Sequence, residues 1–156
     1  MRADAASLRP WEALYADLWP GLVRLGHLLS GSAATGEDLA QEAFLGLLRQ
    51  GSAVENPRAY LRRSIVNRAA NDRRRIARER VHVMGQRDDV TLPPEVDETW
   101  QRLRVLPARQ RAVLVLRYYE DLTEREIADV LGCRAGTVKS LVSRGLAILR
   151  GEIRDD

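Results

Sequence analysis

Apolar residues recur along this chain at spacings of three and four, the period of one helix face, over nearly its whole length. Trp11, Leu14, Tyr15 and Leu18, then Leu22, Leu25, Leu28 and Leu29, form the first stripe. Pro10 and Pro20 each suit the first turn of a helix, where a missing N–H is no loss, so two helices are predicted here, with Gly31 ending the second. Thr35 reads as the N-cap of a helix from Gly36 to about Arg49, with Asp38 near its positive end. Leu39, Ala43, Phe44, Leu47 and Leu48 form its inward stripe. Asn56-Pro57 opens a longer helix to about Arg80, with Leu61, Ile65 and Ala69 facing a core and Tyr60 and Ser64 beside them.

The periodicity fails from Val81 to Asp97, where Gly85, Asp88-Asp89 and Pro93-Pro94 mark a linker. Trp100, Leu103, Val105 and Leu106 follow, then Pro107 and a helix over Arg109 to Tyr119. Thr123-Glu124-Arg125-Glu126 is a capping box opening a short helix with Ile127, Val130 and Leu131 inward; Gly132 closes it. A last helix carries Val138, Leu141, Val142, Leu146 and Leu149. Alternating strand patterns and Asn-Gly hairpin turns are absent. The expected fold is therefore all-α: two small helical domains, 1–80 and 98–156, joined by a flexible linker over 81–97.

Charge sharpens this division. The net charge of +3 is modest, but residues 57–80 hold nine arginines against one aspartate and one glutamate, a local +7. Residues 1–56 come to −3, 81–100 to −4 and 101–156 to +3. One block carries most of the positive potential, as a nucleic-acid footprint should. Lys139 is the only lysine among 25 basic residues, so arginine richness alone says little and its clustering matters. Cys133 is the single cysteine, and His27 and His82 have no partners at ligand spacing, which excludes an internal disulfide and leaves no metal or cofactor site in view. No carboxylate cluster, Gly-rich phosphate loop or nucleophile–base pair is present, so an enzyme is not expected. No apolar run reaches the roughly 18 residues of a membrane span, and no signal peptide is evident; the expected location is the cytoplasm, without membrane insertion.

Three constellations carry function. The helix–turn–helix from Thr123 to Leu149 leaves Thr137, Ser140 and Arg144 on one face at i, i+3, i+7, with Lys139 and Ser143 alongside; small polar and basic side chains there can enter a major groove. A helical hairpin with a solvated basic face is the plainer alternative. The basic helix offers Arg62-Arg63 and Arg73-Arg74-Arg75 to phosphates, with Tyr60 for stacking on an unpaired base and Asn67 and Asn71 for base edges. Its alternative is a solvated helix with Tyr60 in the core. On the acidic helix, Asp38, Gln41 and Leu45 share the outer face, which suits docking onto another protein; a simple amphipathic helix would look the same.

The stretches Gly36-Glu37-Asp38-Leu39-Ala40-Gln41-Glu42-Ala43-Phe44, Asn56-Pro57-Arg58-Ala59-Tyr60-Leu61-Arg62-Arg63 with Ile65-Val66-Asn67, and Leu106-Pro107-Ala108-Arg109-Gln110-Arg111 through Leu131-Gly132-Cys133 to Gly136-Thr137-Val138-Lys139-Ser140 resemble, in this order, regions two and four of the extracytoplasmic-function (ECF) bacterial RNA polymerase sigma factors. The wording is most similar to a short actinobacterial subgroup labelled SigE-like. The resemblance implies promoter-specific transcription initiation with core RNA polymerase, through its beta-prime clamp helices and beta flap, and with promoter DNA. An anti-sigma factor is a candidate partner. By position, it implies that Asp38, Gln41, Glu42 and Leu45 meet polymerase. Tyr60, Arg63, Asn67, Asn71, Arg73 and Arg74 would meet the minus-ten element, and Arg134, Thr137, Lys139, Ser140, Ser143 and Arg144 the minus-thirty-five element.

Three positions depart from the family's pattern. Arg134 stands where a serine-like cap is usual, which costs the recognition helix about 1 kcal/mol. Leu141 replaces a polar or basic residue. Gly145 replaces an alanine in mid-helix, again at about 1 kcal/mol. A stand-alone helix–turn–helix regulator remains the alternative function. It would have no use for the outer face of the acidic helix or for a separate basic helix.

Overall fold

The first stripe folds as one helix, α1, over Ala5–Ser30, with Pro10 and Pro20 inside it rather than opening two helices. Pro20 takes one hydrogen bond from the carbonyl of Ala16, and both residues face solvent, where water can satisfy the freed oxygen. The Leu18, Leu22, Leu25, Leu28 and Leu29 stripe is buried as the sequence predicts. In this computed structural model, residues 5–79 and 93–154 are described, with side chains over 10–70 and 93–151.

Gly31 turns the chain at φ +83°, and Ser32 follows in extended conformation. Ser32, not Thr35, is the N-cap of α2 (Ala33–Gln50): its hydroxyl accepts from the Thr35 N–H at 3.2 Å. The helix thus starts one turn before the expected cap, because the left-handed glycine already places Ser32 correctly. Helices α1 and α2 cross with their backbones in contact. A Cβ on Gly36 would lie 2.5 Å from the Val23 carbonyl oxygen, and one on Gly26 would lie 2.6 Å from the Gly36 Cα. Leu39, Ala43, Phe44 and Leu47 are buried, whereas Leu48 is 47% exposed. Leu48 lies about 100° around the helix from Leu47, past the edge that α1 covers.

A 3₁₀ turn, Gly51–Ala53, leads to α3 (Pro57–Glu79). Asn56 caps α3 as predicted, its side-chain oxygen accepting from the Ala59 N–H at 3.1 Å. Leu61, Ile65, Val66 and Ala69 close a three-helix core with α1 and α2.

Helix α4 spans Pro94–Leu103, so its first turn takes in residues 94–97 of the expected linker. The second proline of the breaker pair is the helix's own first residue, a position where proline fits, and Val96 is buried. Then come α5 (Ala108–Tyr118), α6 (Glu124–Leu131) and α7 (Ala135–Arg154). Both arms of the capping box are made: Glu126 N–H donates to Thr123 Oγ1 at 3.2 Å, and Thr123 N–H donates to Glu126 Oε2 at 2.7 Å. That backbone bond holds the Glu126 carboxyl below its ordinary pKa. Gly132 ends α6 in the left-handed region, at φ 65° and ψ 39°. Among the described residues there is no strand, and no helix is long and apolar enough to cross a membrane.

The two halves meet. Arg111 on α5 is 3% exposed. Its Nη1 donates to the Leu29 carbonyl at the end of α1 (3.2 Å), Nε to Leu103 (3.1 Å), and Nη2 to Arg104 (3.2 Å) and Leu106 (2.9 Å). The guanidinium stacks on Trp100, 4.7 Å from the ring centroid, and Trp100 fills the space beside Gly31, where a Cβ would come within 2.3 Å of the indole. His27, read from sequence as half-buried, is 4% exposed, with Nε2 3.1 Å from Asp97 Oδ1 in an approach short of hydrogen-bond geometry. Burial outweighs the attraction of Asp97 and lowers the His27 pKa.

Two outcomes follow. Gly36→Ala gains helix propensity of about 1 kcal/mol, but its methyl meets backbone that cannot yield, so urea unfolding should show a net loss of about 1–3 kcal/mol. His27 is neutral when folded and must take up a proton on acidification. Its contribution is therefore intact above the unfolded pKa near 6.5 and declines as pH falls below it. Chemical denaturation from pH 7.5 to 5.5 should show this loss, and His27→Gln should flatten it.

Candidate polymerase and nucleic-acid interfaces

Helix α2 turns its apolar stripe toward α1 and α3, which leaves Asp38, Gln41, Glu42 and Leu45 exposed on the outside, as the period predicts. Leu45 is 53% exposed. Glu42 reaches across to α3, where Arg68 Nη1 donates to its Oε2 at 2.6 Å. Beside this face lies an apolar groove of about 410 Å³, lined by Trp11, Tyr15, Phe44, Leu45 and Leu48 among others. Tyr15 stacks on Trp19 with ring centroids 4.8 Å apart and tilts against Phe44 at the same distance. The groove had no sequence signal of its own, because Leu48 was counted in the buried stripe.

On α3, Tyr60, Arg63 and Asn67 fall at i, i+3, i+7, so they share one face. Arg63 and Asn67 are exposed. Tyr60 is half-buried, and its hydroxyl would lie 2.8 Å from a Cβ on Gly46 of α2. Gly46 leaves room for the Tyr60 ring to lie against α2. The helix continues through Asn71, Arg73 and Arg74, whose side chains lie outside the described residues.

Arg62 differs from its expected role as a phosphate contact. Its Nε donates to Glu120 Oε2 at 2.9 Å, and the two side chains are only 15% and 21% exposed. Arg62 lies a third of a turn from Arg63, which turns it toward the second half of the chain. Its partner, 58 positions away, could not be read from the sequence.

In the helix–turn–helix, α6 and α7 pack through Ile127, Val130 and Val138, with Leu131 and Val142 partly buried. Arg134, Thr137, Lys139, Ser143 and Arg144 are exposed and Ser140 half-exposed, so the structure gathers all six on the outer side of the turn and α7. Arg144 Nη2 donates to Ser140 Oγ at 2.8 Å, and Lys139 Nζ lies 3.9 Å from Glu124. The carbonyl of Arg134 accepts from the N–H groups of Thr137 and Val138, so this residue starts α7 without an acceptor side chain. Leu141 is 8% exposed and belongs to the core, which is why no polar residue stands there. Gly145 is explained by close approach: its Cβ would sit 3.0 Å from Leu114 Cδ1 of α5.

No group of three or more His, Cys, Asp or Glu capable of holding a metal ion exists among the described residues. The exposed chemistry is a polar face with an apolar edge on α2, a basic helix with an aromatic ring, and a row of polar and basic side chains on α7.

Comparison with known proteins finds two family models along the chain. Residues 14–79 match the Sigma-70 region 2 model, and residues 97–149 match the Sigma-70 region 4 model. The chain is 33% identical over 144 residues to the RNA polymerase sigma-E factor of Streptomyces coelicolor, covering 85% of this chain and 79% of that protein. It is also 33% identical to the ECF RNA polymerase sigma factor SigL of Mycobacterium tuberculosis, over 95% of this chain and 89% of that one. In fold it resembles the sigma factor RpoE of Bartonella quintana, solved with the anti-sigma factor NepR (TM-score 0.76, 23% identity, 95% of this chain and 99% of that one). It likewise resembles CnrH, solved with the cytosolic domain of CnrY (TM-score 0.72, 22% identity, 95% and 90%). Two region matches in order, over relatives matched along most of their length, establish that this chain belongs to the ECF family of RNA polymerase sigma factors, the transcription initiation factors that direct polymerase to promoters.

Proposed function

We propose that the three exposed faces divide the work of promoter-specific initiation. The outer face of α2, with Asp38, Gln41, Glu42 and Leu45, docks on the beta-prime clamp helices of core polymerase. Helix α3 opens and reads the minus-ten element through Tyr60, Arg63, Asn67, Asn71, Arg73 and Arg74. The outer side of α7 reads the minus-thirty-five element through Arg134, Thr137, Lys139, Ser140, Ser143 and Arg144. On this reading residues 1–80 and 98–156 act as the two functional units, and the protein works in the cytoplasm.

The observation that carries the reading is the exposure of Asp38, Gln41 and Leu45 beside an apolar groove. An acidic and apolar surface repels phosphate but suits a protein partner. Exposed Val105 and Tyr118 give the second half an apolar surface suited to the beta flap. The complex of RpoE with the anti-sigma factor NepR supports a partner of that class here. Melting needs no nucleotide hydrolysis in this scheme. Flipping a base costs a few kcal/mol, and stacking it on an aromatic ring such as Tyr60 returns about 1–3 kcal/mol.

Asp38→Ala with Gln41→Ala should leave the fold intact, as circular dichroism would show, and weaken binding to purified core polymerase about tenfold or more, or about 1.4 kcal/mol. Fluorescence anisotropy reads this directly, and unchanged affinity would remove the docking assignment. Arg144→Ala should lower run-off transcription about five- to tenfold on promoters that carry the upstream element, in line with about 1–3 kcal/mol for a base-edge contact. Promoters lacking that element should respond far less. An equal loss on both would count against the placement of α7.

A further inference from the structure

Two contacts stitch the seam between α2 and α3, and both use α3 side chains at the border of the face proposed for the minus-ten element. Tyr60 lies over Gly46, and Arg68 reaches Glu42. Gly46 and Glu42 are four residues apart on α2, so they share one edge of that helix. Tyr60, Ser64 and Arg68 follow each other at i, i+4, i+8 on α3 and form one row along the same seam. At about 1.5 Å of rise per residue, Arg68 stands roughly 12 Å further along the row than Tyr60.

The row thus aligns an aromatic ring with a guanidinium of fixed direction. Arg68 Nε donates to Ser64 Oγ at 3.2 Å, and Nη1 donates to Glu42 Oε2 at 2.6 Å. Among the described residues these are its bonded partners. They anchor the planar fork at two nitrogens and leave Nη2 for a further acceptor. The Arg68 and Glu42 side chains are 38% and 53% exposed, and an ion pair this open to water adds little stability. Its stronger effect is on direction: a long side chain that is already held loses less rotamer freedom when it binds an anion. The Glu42 carboxylate offsets one positive charge on the α2 side, while residues 57–80 as a block keep a net +7.

We infer that Arg68 is a further DNA contact of α3: it binds a backbone phosphate on the strand whose base stacks on Tyr60, and Glu42 is the positioning residue that aims it. The inference rests on the assignment of α3 to the minus-ten element. A phosphate is the acceptor that fits. It is anionic, it matches the fork of an arginine, and it recurs along the strand whatever the base. Such a contact adds affinity and sets register, and it leaves the choice of sequence to the base-reading side chains.

Salt-dependent binding tests it in the holoenzyme. The full chain, saturated with core polymerase, is titrated by fluorescence anisotropy with a labelled oligonucleotide that carries a single-stranded minus-ten element, over a range of salt. Arg68→Gln should weaken binding about three- to tenfold and lessen the slope of log affinity against log salt by about 0.7, the share of one phosphate on a single strand. The loss should be equal when bases of the element are changed. Arg68→Lys keeps the charge and should keep the slope, with part of the affinity lost. Glu42→Gln should also keep the slope and weaken binding about two- to threefold, because the fork is no longer aimed. An unchanged slope in Arg68→Gln, with only a lower unfolding midpoint, makes Arg68 a tether between helices and overturns the contact. A loss confined to one base of the element overturns the phosphate assignment, and tighter binding by Glu42→Gln overturns the positioning role. Tyr60→Ala separates the two levels. If it too leaves binding unchanged, the assignment of α3 fails; if it weakens binding while Arg68→Gln does not, only the role of Arg68 fails.

Discussion

The architecture hangs on one guanidinium. Arg111 is buried with a permanent charge, which is unfavourable unless its donors are matched, and here four carbonyl oxygens and the Trp100 face surround it. Three of those oxygens end α4 and start α5, so the arginine organises the second half. The fourth, at Leu29, lies 82 positions earlier and brings the end of α1 into the same site. Lysine would not substitute, because a point-like ammonium lacks the planar fork that reaches separate carbonyls while stacking on indole. Around this site gather Gly31, His27 and Asp97, each shaped by the need to bring two small cores together.

A second constraint sets the first half. Gly26 and Gly36 allow α1 and α2 to touch along their backbones, which fixes the rotation of α2 and therefore which of its residues look outward. The outer face of α2 is a result of that rotation: Leu39, Ala43 and Leu47 are committed inward, and Asp38, Gln41 and Leu45 are left outside. Gly46 continues the logic on the next side of the helix, where it admits the Tyr60 ring. Three glycines on two helices thus position both a proposed protein contact and a proposed base contact.

Much of this was legible in the order of residues. Periodicity located the helical segments, the Thr123 capping box and the Asn56-Pro57 start were read directly, and the exposed positions of α2 and α7 followed from helical spacing. Errors arose where a local rule met a tertiary circumstance. Pro20 looked like a helix start, but exposure of Ala16 let the helix pass through. Thr35 looked like a cap until Gly31 turned the chain one residue before Ser32. Pro94 looked like linker and is the first residue of α4. The Arg62–Glu120 pair and the Arg111–Leu29 bond left no trace in the sequence, because nothing in a string of residues sets the distance between positions 58 or 82 apart. Gly145, a defect by propensity alone, proves to be the space into which Leu114 packs.

The separation of partners along the chain also orders how the molecule comes into being. Helices α1 and α2 are joined through Gly31 and Ser32 alone, so their loop closure is entropically slight and their glycine crossing can form while the rest of the chain is still being synthesised. The carbonyl of Leu29 is by then already exposed at the end of its helix, waiting for a residue not yet made. Arg111 leaves the ribosome only after the whole basic helix, and at about 5–20 residues per second it arrives some seconds later. Between completion of α3 and that arrival, the first three helices exist with the faces proposed for polymerase and DNA already formed and their partner half absent.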